Sequence, residues 1–304
     1  MPNFQELLPN RGVDNRPKGK DWMMVPEGGD NYVRLVGGAG FDVQPAKPAH
    51  HIRVNEVKTS DRVNILKNLT ATVPKEDRLF RVHGQSAGPA TIIAKKGTDS
   101  TKIEVSVKKK KSYSVAFFFL QDIDAKGAAR TRSIFSAADT DGWVKGLNDV
   151  FGLQANLWFA KVNEKDGVSS LPIAQLPEAV GPDEAKALLE QGIKVIKSAD
   201  IKIFLAGPKI TVQDNQHASH INGFYHVEQK IIIMKDRSAE SGKSGNPLLK
   251  TMAHEIGHWL NYNHGPGQGH EFYKEVGYPS DILNTMDPSD IKIPHQRVLD
   301  WNGS

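Results

Sequence analysis

The segment LLKTMAHEIGHWLNYNHGPGQGHE, residues 248–271, carries the most specific residue pattern in the chain. It begins with the apolar spacing of a helix and contains four histidines and two glutamates. Residues four apart on an α-helix lie on one face, one turn from each other. His254 and His258 can therefore aim their ring nitrogens at one point, at the roughly 2.0–2.1 Å that zinc requires.

Glu255 follows the first of these histidines and lies close to any water on such a metal. The H-E-x-x-H arrangement is that of zinc peptidases, with two metal ligands and one general base. Asn246 and Pro247 supply an N-cap and a first-turn proline, so the pattern is predicted to lie on a capped helix.

A catalytic zinc needs a third protein ligand and an open fourth position. The downstream candidates are His264, His270, Glu271, Glu275, Asp281 and His295. A straight helix would carry His264 about 9 Å beyond His258 along its axis, so the chain has to turn back between them. Asn261 lies halfway and, after glycine, is the residue that best tolerates the left-handed conformation that ends a helix.

The sequence HEIGHWLNYNH, which starts at His254, resembles the metzincin signature H-E-x-x-H-x-x-G-x-x-H, with Asn261 at the position of the family's glycine. Met286 in ILNTMDPSD is similar to the methionine turn that metzincins carry beneath the metal. The strand and helix order predicted for residues 112–261 is also similar to the upper half of that fold.

This resemblance implies a zinc metallopeptidase with one catalytic zinc ion, bound by His254, His258 and His264. It implies that Glu255 acts as general base toward the water that zinc activates. It further implies that Met286 forms an apolar floor under the metal. The tyrosine that follows the turn methionine in astacins is absent here, and Tyr262 or Tyr278 is the candidate for stabilising the oxyanion.

The segment GFYHVE, residues 223–228, would be the edge strand of the sheet in this fold. An extended peptide can add to such an edge as a further strand, so Phe224, Tyr225 and His226 are candidate substrate-binding residues. Just upstream, Asp214, His217 and His220 are candidate ligands of a second, structural metal, with exposed loop histidines as the alternative.

Residues 31–110 contain short β-like runs separated by turn residues, which predicts a β-sandwich accessory domain without a helix. GPATIIAKKGTDSTKIEVSVK, residues 88–108, resembles the closing hairpin of bacterial immunoglobulin-like domains. Residues 1–30 show no periodicity and are interpreted as an N-terminal arm. From residue 111 to 304 strands and helices alternate, which predicts a second, α/β or α+β domain with a metzincin-like fold.

Composition narrows the classes of partner. The chain has 39 Lys and Arg against 35 Asp and Glu, and a formal charge of +4 does not indicate a nucleic-acid partner. No cysteine is present, which excludes disulfides and thiolate ligands. No apolar run reaches the roughly 18 residues of a membrane span, and the opening residues lack the apolar region of an ordinary secretion signal.

The sequence thus predicts a monomeric zinc endopeptidase that cuts a peptide or protein substrate. Its setting is expected to be that of an effector or toxin secreted by a signal-independent route, with a delivery or inhibitor (immunity) protein as partner, or else the cytoplasm. Two alternatives stay open. One is a peptidase of another zinc clan with Glu271, Glu275 or Asp281 as third ligand. The other is a non-catalytic zinc-containing binding protein.

Overall fold

A computed structural model describes residues 2–5, 7, 13–14, 22–69, 71–123, 126, 129–131, 135–174, 179–180, 182–206, 211–212, 223–235 and 247–260 of the 304-residue chain. This part of the protein is mostly β-sheet with few helices. No helix within it is both long and apolar enough to cross a membrane.

The strands are, in chain order, β1 (Asn3–Gln5), β2 (Val13–Asp14), β3 (Trp22–Pro26), β4 (Asp30–Val36), β5 (Asp42–Pro45), β6 (Ile52–Glu56), β7 (Arg78–Gly84), β8 (Gly88–Lys96), β9 (Asp99–Lys108), β10 (Lys111–Ile123), β11 (Ala129–Thr131), β12 (Leu157–Lys161), β13 (Val168–Ala174), β14 (Ala179–Val180), β15 (Ile201–Ala206), β16 (Thr211–Val212), β17 (Gly223–His226) and β18 (Ile231–Lys235). The α-helices are α1 (Thr59–Leu69), α2 (Thr140–Leu147), α3 (Leu153–Ala155), α4 (Pro182–Val195) and α5 (Pro247–Trp259). A π-helical turn, Asn148–Gly152, joins α2 to α3, and 3-10 turns occupy Ala137–Asp139 and Glu164–Gly167.

Two sheets form the N-terminal half. One has the strand order β1-β4-β7-β6 and is antiparallel throughout, and the other has the order β2-β3-β9-β8-β5. Their facing side chains form one buried cluster, called here the sandwich core: Phe4, Met23, Val25, Val33, Leu35, Phe41, Ile52, Phe80, Val82, Ile92, Ala94, Ile103, Val105 and Val107. The predicted hairpin is present, because β8 and β9 pair without interruption from Gly88–Val107 to Lys96–Asp99.

Two features of this half differ from the sequence-based expectation. The predicted arm contributes β1 and β3 to the sheets, and β3 pairs in parallel with β9. Trp22, Met23, Met24 and Val25 are all buried, so β3 lacks the apolar–polar alternation by which a strand is recognised. Helix α1 lies in a region where no helix was expected; none of its residues is buried, which leaves no apolar face for a pattern to reveal.

The C-terminal half is built on a sheet with the order β11-β10-β15-β18-β17. β10, β15 and β18 run parallel, β17 runs antiparallel to β18, and both β12 and β13 pair in parallel with β10. Phe117 and Phe119 of β10 point to one face of the sheet, and Phe118 and Leu120 to the other. This central strand is apolar on both faces because helices cover both.

The face that carries α2 and α5 encloses the larger of two cores, called here the α5-side core. Its buried members are Trp22, Met24, Val115, Phe117, Phe119, Trp143, Leu147, Val150, Phe151, Ala155, Leu157, Phe159, Ile201, Ile203, Leu205, Ile232, Met234, Leu248, Leu249, Met252, Ala253 and Ile256. On the opposite face, Ala185, Leu188 and Ile196 in and after α4 pack against Phe118, Phe204 and Ile233. The C-terminal half thus has helices on both faces of its sheet, and its metzincin-like layout stays a prediction.

The two halves meet at β3 and at the lysine run, residues 108–111, where β9 ends and β10 begins. Trp22 and Met24 of β3 belong to the α5-side core, whereas Met23 and Val25 belong to the sandwich core. Asn156, which is buried with φ of 56°, donates from Nδ2 to the Lys108 carbonyl at 2.8 Å. Its own carbonyl accepts from the Lys111 amide at 3.1 Å. The connection between the halves is therefore held by the core and by hydrogen bonds.

Candidate metal centre

Helix α5 carries the histidine pattern and is fixed by its apolar face. Pro247 begins the helix, where the missing amide hydrogen costs nothing and φ is already helical. Leu248, Leu249, Met252 and Ile256 are buried in the α5-side core at helical spacing. That burial sets the rotation of the helix. His254 and His258 lie on the side turned away from this core, and Thr251 lies on the flank that contacts β17.

The two histidines of α5 converge as the spacing predicted. His254 Nε2 lies 3.1 Å from His258 Nε2, and the two rings are perpendicular with centroids 4.7 Å apart. Two nitrogens bound to one tetrahedral zinc at 2.0–2.1 Å are themselves separated by about 3.3 Å. The pair therefore fits a zinc ion with little movement. Without a metal, the same distance suits an N–H···N hydrogen bond between the rings.

Glu255 lies between the histidines in sequence and is only 5% exposed. On the helix it is one turn beyond Thr251 and one turn before His258, so the three share one stripe. One helix thus carries two imidazole nitrogens and one carboxylate, which are the side-chain groups that metal-assisted hydrolysis uses.

The edge of the C-terminal sheet lies against the same helix. β17 ends the strand order of the sheet as described, and it contacts α5. A Cβ added at Gly223 would meet Thr251 Cγ2 at 3.1 Å and the Ile233 carbonyl at the same distance. Gly223 thus permits the strand and helix to approach each other closely, a contact that the sequence pattern did not identify.

A second glycine permits close approach on the other side of α5. A Cβ at Gly146 of α2 would overlap Leu249 Cδ2 and lie 3.1 Å from Leu249 Cδ1. Gly146 is buried, so no solvent space is available to relieve the overlap. Sequence reasoning missed this residue because a glycine inside an amphipathic helix signals nothing without knowledge of its neighbour.

Two tyrosines pack against the α5-side core near the helix. Tyr225 of β17 is half-buried, and burial raises the pKa of its hydroxyl. Tyr113 of β10 makes an edge-to-face contact with Trp259 at the end of α5, with ring centroids 5.0 Å apart. Burial, together with the negative charge of Asp200, raises the pKa of Tyr113. Both hydroxyls therefore keep their protons at neutral pH.

Several predicted site residues lie outside the described residues. They are Asp214, His217, His220, Asn261, Tyr262, His264, His270, Glu271, Glu275, Tyr278, Asp281, Met286 and His295, and the predicted N-cap Asn246 lies outside the described residues as well. The structure describes the backbone of Phe224 but not its side chain, and it places the buried His226 so that its Nδ1 accepts from the Gln229 amide at 3.2 Å. Within the described ranges, no group of three or more His, Asp or Glu residues is arranged to hold a metal. The third ligand and the second metal therefore stay predictions.

Comparison with known proteins does not identify a family. No family model matches the chain, and no curated protein matches it. Domains 4 and 5 of the S-layer protein SbsC are 16% identical with a TM-score of 0.21, over 35% of this chain and 53% of that one. The N-terminal eight Ig domains of DSCAM are 9% identical with a TM-score of 0.21, over 41% and 14%. Amylomaltase from Corynebacterium glutamicum is 11% identical with a TM-score of 0.22, over 60% and 20%.

The chain thus spans about half the length of the first of these structures and much less of the other two. Similarities with such low TM-scores carry no argument about the fold or the function of this protein.

Proposed function

We propose that this protein is a zinc-dependent endopeptidase whose catalytic half resembles metzincins. The observation that carries the proposal is the 3.1 Å separation of the His254 and His258 Nε2 atoms, with Glu255 beside them on one helix. Further support comes from the placement of α5 against β17, the antiparallel strand that ends the sheet order. Such an edge suits a substrate that binds in an extended conformation.

The residues of the site have separable tasks. His254 and His258 would hold the zinc ion, with His264 or one of the acidic alternatives as third ligand. When bound, zinc lowers the pKa of a ligated water to about 7 and polarises a substrate carbonyl. Glu255 accepts a proton from the attacking water and then delivers it to the amine that leaves. β17 offers backbone groups that align the peptide beside α5.

The experiment that tests this proposal compares the full-length protein with Glu255→Ala in a peptide-library cleavage assay, with bound zinc measured in parallel. We expect Glu255→Ala to keep its zinc while the cleavage rate falls by about 10²–10⁴-fold, because the base is removed and the histidine pair is retained. Addition of a chelator should abolish cleavage by the unaltered protein.

Glu190→Ala is the matched control, because Glu190 is an exposed helical glutamate on α4, which covers the opposite face of the sheet. It should cleave peptides at the unaltered rate. Equal activity in Glu255→Ala and Glu190→Ala would refute the proposed role of Glu255. A zinc-loaded protein that cleaves no peptide would instead favour the non-catalytic binding protein.

A further inference from the structure

The two faces of the sheet β1-β4-β7-β6 differ in their chemistry. Val33 of β4, Val82 of β7 and Ile52 of β6 belong to the sandwich core and therefore point inward. Successive residues of a strand point to opposite faces, so the residues that alternate with these three point outward. On β4, β7 and β6 the outward residues are polar and are called here the outer face: Asp30, Tyr32, Arg53, Asn55, Arg81 and His83.

The strand register places the outer face in two rows, each with one residue from each strand. The first row is Asp30, His83 and Arg53, and the second is Tyr32, Arg81 and Asn55. Neighbours within a row have Cβ atoms about 4.5–5.5 Å apart, and the two rows are separated by about 6.8 Å along the strands. The six side chains thus cover an area of about 7 by 10 Å on one side of the sheet.

Asp30 orients two basic side chains of the outer face. Its Oδ1 accepts from His83 Nδ1 at 2.8 Å, and its Oδ2 accepts from Arg81. Arg81 is nevertheless exposed, with half of its side chain open to solvent. A neutral imidazole that donates from Nδ1 keeps Nε2 as an acceptor. The outer face therefore presents groups that are already held in position, and they lose little side-chain freedom when a ligand binds.

The outer face points away from the C-terminal half of the protein. Met23 of β3 points into the sandwich core, whereas Trp22 and Met24 point from the other face of the same sheet into the α5-side core. The layers therefore follow one another in the order outer face, sandwich core, second sheet and α5-side core. A partner on the outer face would not cover the candidate site on α5.

The distribution of charge indicates an acidic partner. Residues 1–108 have 17 Lys and Arg against 12 Asp and Glu, whereas the remaining residues have 22 against 23. The excess of basic residues thus lies entirely in the part of the chain that forms the sandwich. On the outer face, Arg53 and Arg81 are both exposed. The planar guanidinium group of arginine matches a carboxylate or sulfate group and can donate two hydrogen bonds to it.

The polar character of the outer face favours a carbohydrate over a protein. A protein partner needs apolar anchors, since the centre of a protein interface is rich in apolar and aromatic side chains. Among the described residues the exposed large apolar side chains are Val63, Ile193 and Val227, and none of them lies on the outer face. The amide of Asn55 and the Nε2 atom of His83 can instead pair with hydroxyl groups.

We propose that the outer face binds an acidic polysaccharide. Arg53 and Arg81 pair with its carboxylate or sulfate groups, and Asn55 and His83 pair with its hydroxyl groups. The sandwich half thereby attaches the protein to such a polymer, with α5 on the far side of the sandwich. This inference is independent of the proposed function, because it involves neither zinc nor peptide cleavage.

A binding assay with fluorescein-labelled heparin tests this inference in the full-length protein. Heparin should bind at low ionic strength and dissociate as salt is added, because salt screens ion pairs at the surface. Uncharged dextran should not bind. Polygalacturonate, which carries carboxylates but no sulfates, is the second acidic probe; binding of either acidic polysaccharide supports the proposal, and the stronger of the two identifies the acidic group.

Arg53→Gln and Arg81→Gln should each weaken the binding of heparin or polygalacturonate by about tenfold, the effect of losing one charge-assisted hydrogen bond. Lys95→Gln is the matched control, because Lys95 is an exposed basic residue of β8 in the other sheet of the sandwich. It should bind both probes as tightly as the unaltered protein. The melting temperature, measured for all three variants, should stay close to that of the unaltered protein.

Three outcomes would overturn the proposal. If neither acidic polysaccharide binds, the outer face is not such a site. If Lys95→Gln weakens binding as much as Arg53→Gln, the attraction is a general effect of basic charge and not of the outer face. If polyglutamate binds more tightly than both polysaccharides and is equally sensitive to Arg53→Gln, the partner is an acidic polypeptide.

Discussion

Gly146 shows how one residue controls the position of the candidate metal ligands. It lets α2 approach α5 so closely that a methyl group in its place would overlap Leu249, whose side chain is itself buried. Leu249 is on the helix that carries His254 and His258, so any displacement at this contact moves the ligand pair. The precision of the site therefore depends on a residue with no side chain.

We expect Gly146→Ala to destabilise the protein by about 1–3 kcal/mol, because the added methyl group would be forced into a packed interior. This cost exceeds the gain in helix propensity from glycine to alanine. Urea denaturation followed by circular dichroism measures this free energy of unfolding. Gly142→Ala, on the same helix, is the control: a Cβ there meets nothing within 4 Å, so it should stabilise the protein by up to about 1 kcal/mol. Equal effects at both positions would contradict the close approach.

The histidine pair and its neighbouring glutamate were predictable from sequence because their geometry is local. A helix places residues four apart on one face whatever surrounds it, and the structure brings His254 Nε2 and His258 Nε2 within 3.1 Å. The contacts of Gly146 and Gly223 were not predictable, since each depends on a partner distant in sequence.

Whole elements also differ in whether their own sequence pattern predicts them, as β10 and β3 show. A long apolar strand such as β10 and amphipathic helices such as α4 and α5 carry periodic patterns that identify them. β3 was missed because it is buried on both faces, and α1 because it is buried on neither. Tertiary contacts hold both elements; Arg62 of α1, for example, donates to the Asp77 carbonyl at 2.8 Å.

Met23 and Met24 are adjacent in β3 but face different cores. Substituting each of them in turn therefore gives a prediction with an internal control. Met24→Ala should accelerate amide hydrogen exchange in β10 and α5, because Met24 packs in the α5-side core. Met23→Ala should accelerate exchange in β4 and β7 instead, because Met23 packs in the sandwich core. Each substitution is expected to cost about 2–5 kcal/mol. Unchanged exchange in β10 and α5 of Met24→Ala would show that the halves do not share a core.

In the molecule as a whole, the sandwich and the candidate catalytic half are joined by more than a linker. Asn156 anchors both ends of the lysine run, and the Trp158 indole donates to Asn156 Oδ1 at 2.8 Å. A φ of 56° is accessible to asparagine at lower cost than to most other residues. The sandwich is thus tied to the half that carries α5 by hydrogen bonds and by the residues of β3 that enter both cores.

The central claim is that α5 holds zinc through its two histidines, and a zinc titration against a competing chelator tests it most directly. The full-length protein should bind one zinc ion per chain, and His258→Ala should weaken that binding by more than about 100-fold, because a direct ligand is lost. His50→Ala, which removes an exposed histidine of the sandwich half, should bind zinc as tightly as the unaltered protein. Equal zinc affinity in His258→Ala and His50→Ala, or no zinc bound by the unaltered chain, would contradict the account.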